Sequence, residues 1–67
     1  MVRYRLIEVS LEEVLRQYGY GHLIRNGRVD HILAVKALAE ICARDKTLTF
    51  DGRTLKVYRK VPVNDME

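Results

Sequence analysis

The sequence is poor in the residues that reinforce small proteins, and each shortage excludes a class of protein. Its 67 residues include one cysteine, Cys42, so the chain cannot close an internal disulfide. A lone thiol fits a reducing, cytoplasmic setting, where disulfides are rare. No apolar run approaches the ~20 residues of a membrane-spanning helix, and the first five residues alternate charged with apolar side chains, unlike a signal peptide. We therefore expect a cytoplasmic protein without a membrane partner.

The chain is also short, which limits its core. A domain of this size buries about 60% of its unfolded surface, and such a core rarely supplies more than roughly 3–5 kcal/mol by itself. The composition predicts a single domain over residues 1–62, followed by a frayed tail at 63–67. Without a disulfide, we expect the extra stability to come from a protein partner or from self-association.

The first half of the chain predicts a strand followed by a short helix. Polar and apolar residues alternate at the start of Val2–Val9, as in a strand. Ser10 and Glu13 have the spacing of a capping box, and Gly19 is placed to end the helix in the left-handed conformation. The intervening apolar residues fall on one helical stripe, consisting of Leu11, Val14, Leu15 and Tyr18.

A connector and a longer helix follow. The connector, Tyr20–Arg28, is compatible with either a short extended piece or a single helical turn. The helix is expected from Val29 or Asp30 to Asp45. Leu33 and Ala37 fall among its charged residues, either as a lone exposed leucine beside an alanine or as a second contact surface. The predicted core face of the helix comprises Ile32, Val35, Leu38, Ala39, Ile41 and Cys42.

The remaining residues predict a β-hairpin. Asp51-Gly52 is typical of a two-residue type I′ turn between strands at Thr47–Phe50 and Arg53–Val61. This register would pair Phe50 with Arg53 and Leu48 with Leu55, and Pro62 would end the pairing or mark an edge. One face would carry Leu48, Phe50, Leu55 and Val57, and the other Thr47, Thr49, Thr54, Lys56, Tyr58 and Lys60.

The predicted order is strand, helix, helix, strand, strand. We expect a small α+β domain in which two helices pack on one face of a three-stranded, mostly antiparallel sheet.

No pattern in the sequence predicts an enzyme. The only serine, Ser10, is occupied as a helix cap, and a buried Cys42 would be inert. His22, His31 and Cys42 lack the close paired spacing of a metal site. We expect no catalysis, no cofactor, no metal and no small-molecule substrate.

The basic and aromatic residues suggest binding. The formal net charge is +3, and no acidic residue lies between Glu13 and Asp30 or between Asp51 and Asp65. Lys56, Tyr58 and Lys60 alternate on the outward face of the predicted last strand and form an outer hairpin patch. Arg3 and Arg5 would extend this outer hairpin patch if the first strand paired beside the last. The candidate partner-binding residues are Arg16, Tyr20, His22, Arg25, Arg28, Leu33, Arg53, Lys56, Tyr58 and Lys60.

Two functions fit those residues. Arginine and tyrosine dominate protein-interface hot spots, which favours a protein-interaction module such as a dimerising subunit, an adaptor or an inhibitor. Cations also contact phosphates while aromatic rings stack on bases, so the alternative is a nucleic-acid-binding regulator. Protein interaction is favoured because the positive excess is modest and a small core gains most from a partner.

Overall fold

A computed structural model describes residues 3–63, and it shows the predicted small α+β domain. The helices and strands are β1 (Arg3–Val9), α1 (Leu11–Gln17), a 3₁₀ turn (Gly21–Leu23), β2 (Ile24–Arg25), β3 (Arg28–Val29), α2 (His31–Arg44), β4 (Leu48–Phe50) and β5 (Val57–Val63). Val2 and residues 64–67 of the predicted tail lie outside the described residues. Val63 belongs to β5, where it pairs with Arg3.

The main sheet is antiparallel and three-stranded, in the order β1-β5-β4, which confirms the predicted fold class. Both helices pack on one of its faces. The core between them is formed by Val14, Leu15, Ala37, Leu38, Ile41, Leu48 and Val57.

The first helix agrees closely with the sequence. The Ser10 hydroxyl oxygen accepts a hydrogen bond from the Glu13 amide at 3.3 Å, as one half of the predicted capping box. Gly19 has a φ of 86°, the left-handed conformation that glycine adopts without steric cost. Val14 and Leu15 are buried, so α1 turns the predicted stripe toward the core.

The second helix begins where predicted, but its buried face is rotated. The Asp30 carboxylate accepts hydrogen bonds from the Ile32 and Leu33 amides at 3.0 and 3.2 Å, and therefore caps α2. Ile32, predicted in the core, is 66% exposed, whereas Ala37, predicted on the charged side, is 3% exposed. Ala39 is also exposed, and the face that packs consists of Ala34, Ala37, Leu38 and Ile41. Small alanines allow the helix backbone to approach its neighbours closely, an advantage that a count of bulky apolar residues does not detect.

The predicted two-residue turn at Asp51-Gly52 is wrong. Phe50 pairs with Val57 rather than Arg53, and Leu48 pairs with Arg59 rather than Leu55, so the loop spans residues 51–56. The Asp51 side chain accepts a hydrogen bond from the Arg53 amide at 2.8 Å, and the Asp51 amide donates to the Lys56 carbonyl oxygen at 2.9 Å, which closes the longer loop.

The wider loop places its apolar residues well. Leu55 adopts a left-handed φ of 61° and packs, half-buried, against the core. Val57 becomes fully buried opposite Phe50. Burial of these two side chains offsets the cost of a non-glycine residue at positive φ.

The connector contains both of the structures that its sequence allowed. A 3₁₀ turn at Gly21–Leu23 is followed by a second, two-stranded sheet formed by β2 and β3. Asn26 and Gly27 join the strands with φ values of 53° and 72°, the positive values that a type I′ hairpin requires at both central positions. Within residues 3–63, neither helix is long and apolar enough to span a membrane.

Candidate interaction surfaces

The structure brings two of the predicted binding regions together. His22, Arg25 and Arg28 of the connector line one open cavity of about 590 Å³. Leu33 of α2, which is 47% exposed, forms part of the same wall. We call this the connector cavity; its remaining lining residues are Leu23, Val29 and Asp30.

Tyr20 and Arg16 lie near this cavity, but acidic side chains engage both. The Tyr20 hydroxyl donates a hydrogen bond to the Glu40 carboxylate, which raises the pKa of Tyr20 above its ordinary value. The Tyr20 ring stacks beside His22, with ring centroids 6.3 Å apart. Arg16 forms an ion pair with Glu12 at 3.3 Å, one turn earlier on α1. A partner would therefore meet these side chains already paired.

The outer face of the main sheet carries a second group. Tyr58 and Lys60 lie on the face opposite the helices, together with Leu6 and Tyr4 of β1. Lys56 does not join them, because it lies in the 51–56 loop rather than in a strand.

Arg53 was predicted to begin the last strand, but it lies in the 51–56 loop. The Gly52 carbonyl oxygen of this loop is 2.8 Å from Nε2 of His31, so the loop is close to the start of α2. Strand β1 does pair beside β5, as the extended patch required. Arg3 and Arg5, however, share the helix-side face with Val61 and Val63, because side chains alternate along a strand. Arg3 and Arg5 therefore do not extend the outer hairpin patch that contains Tyr58 and Lys60.

Three of the five exposed large apolar side chains of residues 3–63 lie on β1, and none of these three was among the predicted site residues; the other two, Ile32 and Leu33, lie on α2. Tyr4, Leu6 and Ile7 are 59%, 58% and 48% exposed. Tyr4 and Leu6 also line a shallow cavity of about 440 Å³ together with Lys46, Thr47, Lys60 and Pro62. The alternating sequence predicted this strand, but only the sheet order shows that it lies at an edge.

The backbone of β1 has a defined open edge. Pro62 has no N–H, so the Tyr4–Pro62 pair cannot exchange hydrogen bonds across the strands. Antiparallel pairs alternate between bonded and non-bonded, so Leu6–Lys60 is also a non-bonded pair, in agreement with donation from the Lys60 amide to the Thr47 carbonyl oxygen at 2.6 Å. The N–H and C=O groups of Tyr4, Leu6 and Glu8 consequently point away from β5, toward the open edge.

Asp45, at the end of α2, is the most strongly hydrogen-bonded acid of the described chain. Its carboxylate accepts from the Thr47 hydroxyl at 2.6 Å, the Tyr18 hydroxyl at 2.5 Å and the Thr47 amide at 2.9 Å. Nη1 of Arg59 lies 3.9 Å from Oδ2 of Asp45. The Thr47 and Tyr18 hydrogen bonds lower the pKa of Asp45 from 3.8 to about 2. This network joins α1, α2 and the sheet, which indicates a structural role.

The residues considered for catalysis have other roles. Ser10 caps α1. Cys42 is half-buried, and its burial, with a smaller contribution from Asp45, raises the pKa of the thiol. Within residues 3–63, no three histidine, cysteine, aspartate or glutamate side chains come together as a possible metal site.

Comparison with known proteins gave no match: no protein-family model, no curated protein and no solved structure is significantly similar to this chain.

Proposed function

We propose that the protein is a non-enzymatic interaction module that self-associates through the open edge of β1. The observation that carries this proposal is the concentration of exposed apolar side chains, Tyr4, Leu6 and Ile7, on an edge strand that pairs with β5 on one side only. Edge strands in monomeric proteins are usually short, charged or covered, since a long apolar edge invites pairing with another chain. Here the edge strand has seven residues; Arg3, Arg5 and Glu8 are charged, while Tyr4, Leu6 and Ile7 are exposed and apolar.

The chemistry of this edge favours a second copy of the chain as its occupant. If two β1 strands pair antiparallel over their whole length, Leu6 faces Leu6 of the other copy across a twofold axis. The outward-pointing groups of Tyr4 then face those of Glu8 in the other copy. All three outward residues of each strand find complementary donors and acceptors, so the backbone pairing is self-complementary.

The side chains support the same register. On the outer face the two Leu6 side chains become neighbours, and each Tyr4 lies opposite Glu8 of the other copy. On the helix-side face each Ile7 lies opposite Arg5, whose methylene groups can cover it while the guanidinium stays in water. The result is a continuous six-stranded sheet that removes the apolar edge from solvent.

Sedimentation equilibrium from low micromolar to near-millimolar concentration tests this proposal. We expect a reversible monomer–dimer equilibrium for the wild-type chain. Leu6→Lys should yield a monomer, because it places two ammonium groups against each other at the axis. Leu33→Lys is the matched control, since it changes a comparably exposed leucine on α2 and should leave the dimer intact. A wild-type chain that stays monomeric throughout would refute the proposal, and so would equal effects of the two variants.

A further inference from the structure

Two arginines face each other at the hairpin formed by β2 and β3. Arg25 and Arg28 are register partners on either side of the Asn26-Gly27 turn, and both are exposed. Side chains of directly opposite residues share a face with Cβ atoms about 4.5–5.5 Å apart, and like charges at this separation destabilise the pair. Within residues 3–63, no carboxylate forms an ion pair with either guanidinium. No ion pair within the described chain therefore offsets the repulsion at this hairpin.

The surroundings of the two arginines form a site rather than a flat surface. Both line the connector cavity, where the His22 ring supplies a further polar group and Leu23 and Leu33 supply apolar walls. One acid, Asp30, also lines the cavity. Its Oδ1 accepts two amide hydrogen bonds from the start of α2, so part of its charge is directed toward the helix. The two guanidinium groups and the single carboxylate, which is hydrogen-bonded to the helix amides, give the cavity a net positive charge.

We propose that the connector cavity binds a phosphate group between Arg25 and Arg28. A guanidinium forms paired, charge-assisted hydrogen bonds to phosphate oxygens, and an anion between the two arginines would turn their repulsion into attraction. The apolar walls formed by Leu23 and Leu33 suit the organic part of a phosphate ester better than a bare ion. This site lies on the connector and α2, so it does not depend on pairing of the β1 edges.

The phosphate ester has two possible sources, a free nucleotide or the backbone of a single-stranded nucleic acid. The probes are inorganic phosphate, a nucleoside monophosphate and a fluorescent single-stranded oligothymidine. Amide NMR shifts at residues 25–29 report binding at the hairpin, and fluorescence anisotropy gives the affinity for the oligonucleotide. If the nucleoside monophosphate binds with an affinity equal to that of the oligonucleotide, calculated per phosphate group, the natural ligand is a free nucleotide. Much tighter oligonucleotide binding that weakens steeply with salt indicates a nucleic-acid backbone.

The variants are matched in charge. R25Q/R28Q removes both cavity arginines, whereas R44Q/K46Q removes two exposed cations at and just beyond the C-terminal end of α2. We expect the first pair to weaken binding about tenfold or more and the second less than about twofold. The absence of shifts at residues 25–29 with every probe would overturn the proposal, as would equal losses in the two double variants.

A second comparison guards against a folding artefact. R25K/R28K keeps both charges but loses the planar fork, so we expect weaker binding than in the wild type. Wild-type affinity in R25K/R28K would overturn the paired arginine contact. Thermal unfolding of R25Q/R28Q should be no easier than that of the wild type, because the substitution removes a like-charge pair.

Discussion

The Asp45 network makes the stability of this domain depend on pH in a specific way. The folded chain lowers the pKa of Asp45 from 3.8 to about 2, chiefly through the Thr47 and Tyr18 hydrogen bonds. A carboxyl whose folded pKa is depressed contributes stability above its unfolded pKa, and that contribution is lost as the pH falls through the folded value. The loss should therefore occur between about pH 4 and pH 2.

The size of the effect follows from the same shift. At about 1.36 kcal/mol per pKa unit, the difference between 3.8 and about 2 sets an upper limit of about 2.5 kcal/mol. The Asp45 side chain is 20% exposed, and its nearest cation, on Arg59, is 38% exposed, so solvent screening lowers the contribution. We expect Asp45→Asn to cost about 1 kcal/mol of unfolding free energy at neutral pH.

Urea unfolding followed by circular dichroism, at a series of pH values, measures this contribution. The difference between the wild type and Asp45→Asn should be largest at pH 5–7, fall between pH 4 and pH 2, and approach zero below pH 2, where the wild-type carboxyl is protonated as well. Glu8→Gln, which removes an exposed negative charge on β1, is the control for net charge. A wild-type–Asp45→Asn difference that stays constant with pH would refute the reasoning.

Three further predictions concern packing, backbone and reactivity. Leu38→Ala removes most of a fully buried side chain and should cost about 3 kcal/mol of unfolding free energy, which is comparable to the whole stability of so small a core. Thermal unfolding should therefore show a largely unfolded chain at 37 °C. A melting curve close to that of the wild type would contradict the assigned core. Gly27→Ala should cost about 1 kcal/mol in chemical denaturation through its φ of 72° alone, because no atom lies within 4 Å of the added Cβ; an unchanged midpoint would argue against the type I′ turn. Cys42 should react slowly with a thiol reagent in buffer and quickly in urea, since it is half-buried with a raised pKa, and equal rates would show that the thiol is accessible in the folded chain.

Local signals in the sequence predicted local structure well. Ser10 with Glu13, and Gly19, marked the ends of α1 because capping depends on residues within one helical turn. Asp30 marked the start of α2 for the same reason. The alternation of apolar residues correctly placed Leu48 and Val57 on the core face.

The failures occurred where distant residues compete. Asp51-Gly52 favours a tight turn locally, but in the folded chain Phe50 pairs with Val57, and Leu55 packs half-buried against the core from the 51–56 loop. The face of α2 was misplaced because alanines at 34 and 37 pack closely without being strongly hydrophobic. Three binding residues predicted in the connector, His22, Arg25 and Arg28, do share one cavity with Leu33, although nothing in the sequence showed that they would meet.

By itself, the sequence determined the first strand, the two helices and where they begin, and that the chain is basic and short. Those properties depend on neighbours along the chain. The tertiary structure alone decided that β1 is an edge strand with Tyr4, Leu6 and Ile7 exposed, and that Arg25 and Arg28 share a cavity with Leu33. Strand order and helix rotation are set by the packing of residues far apart in sequence, which minimises exposed apolar surface over the whole domain rather than within any one segment.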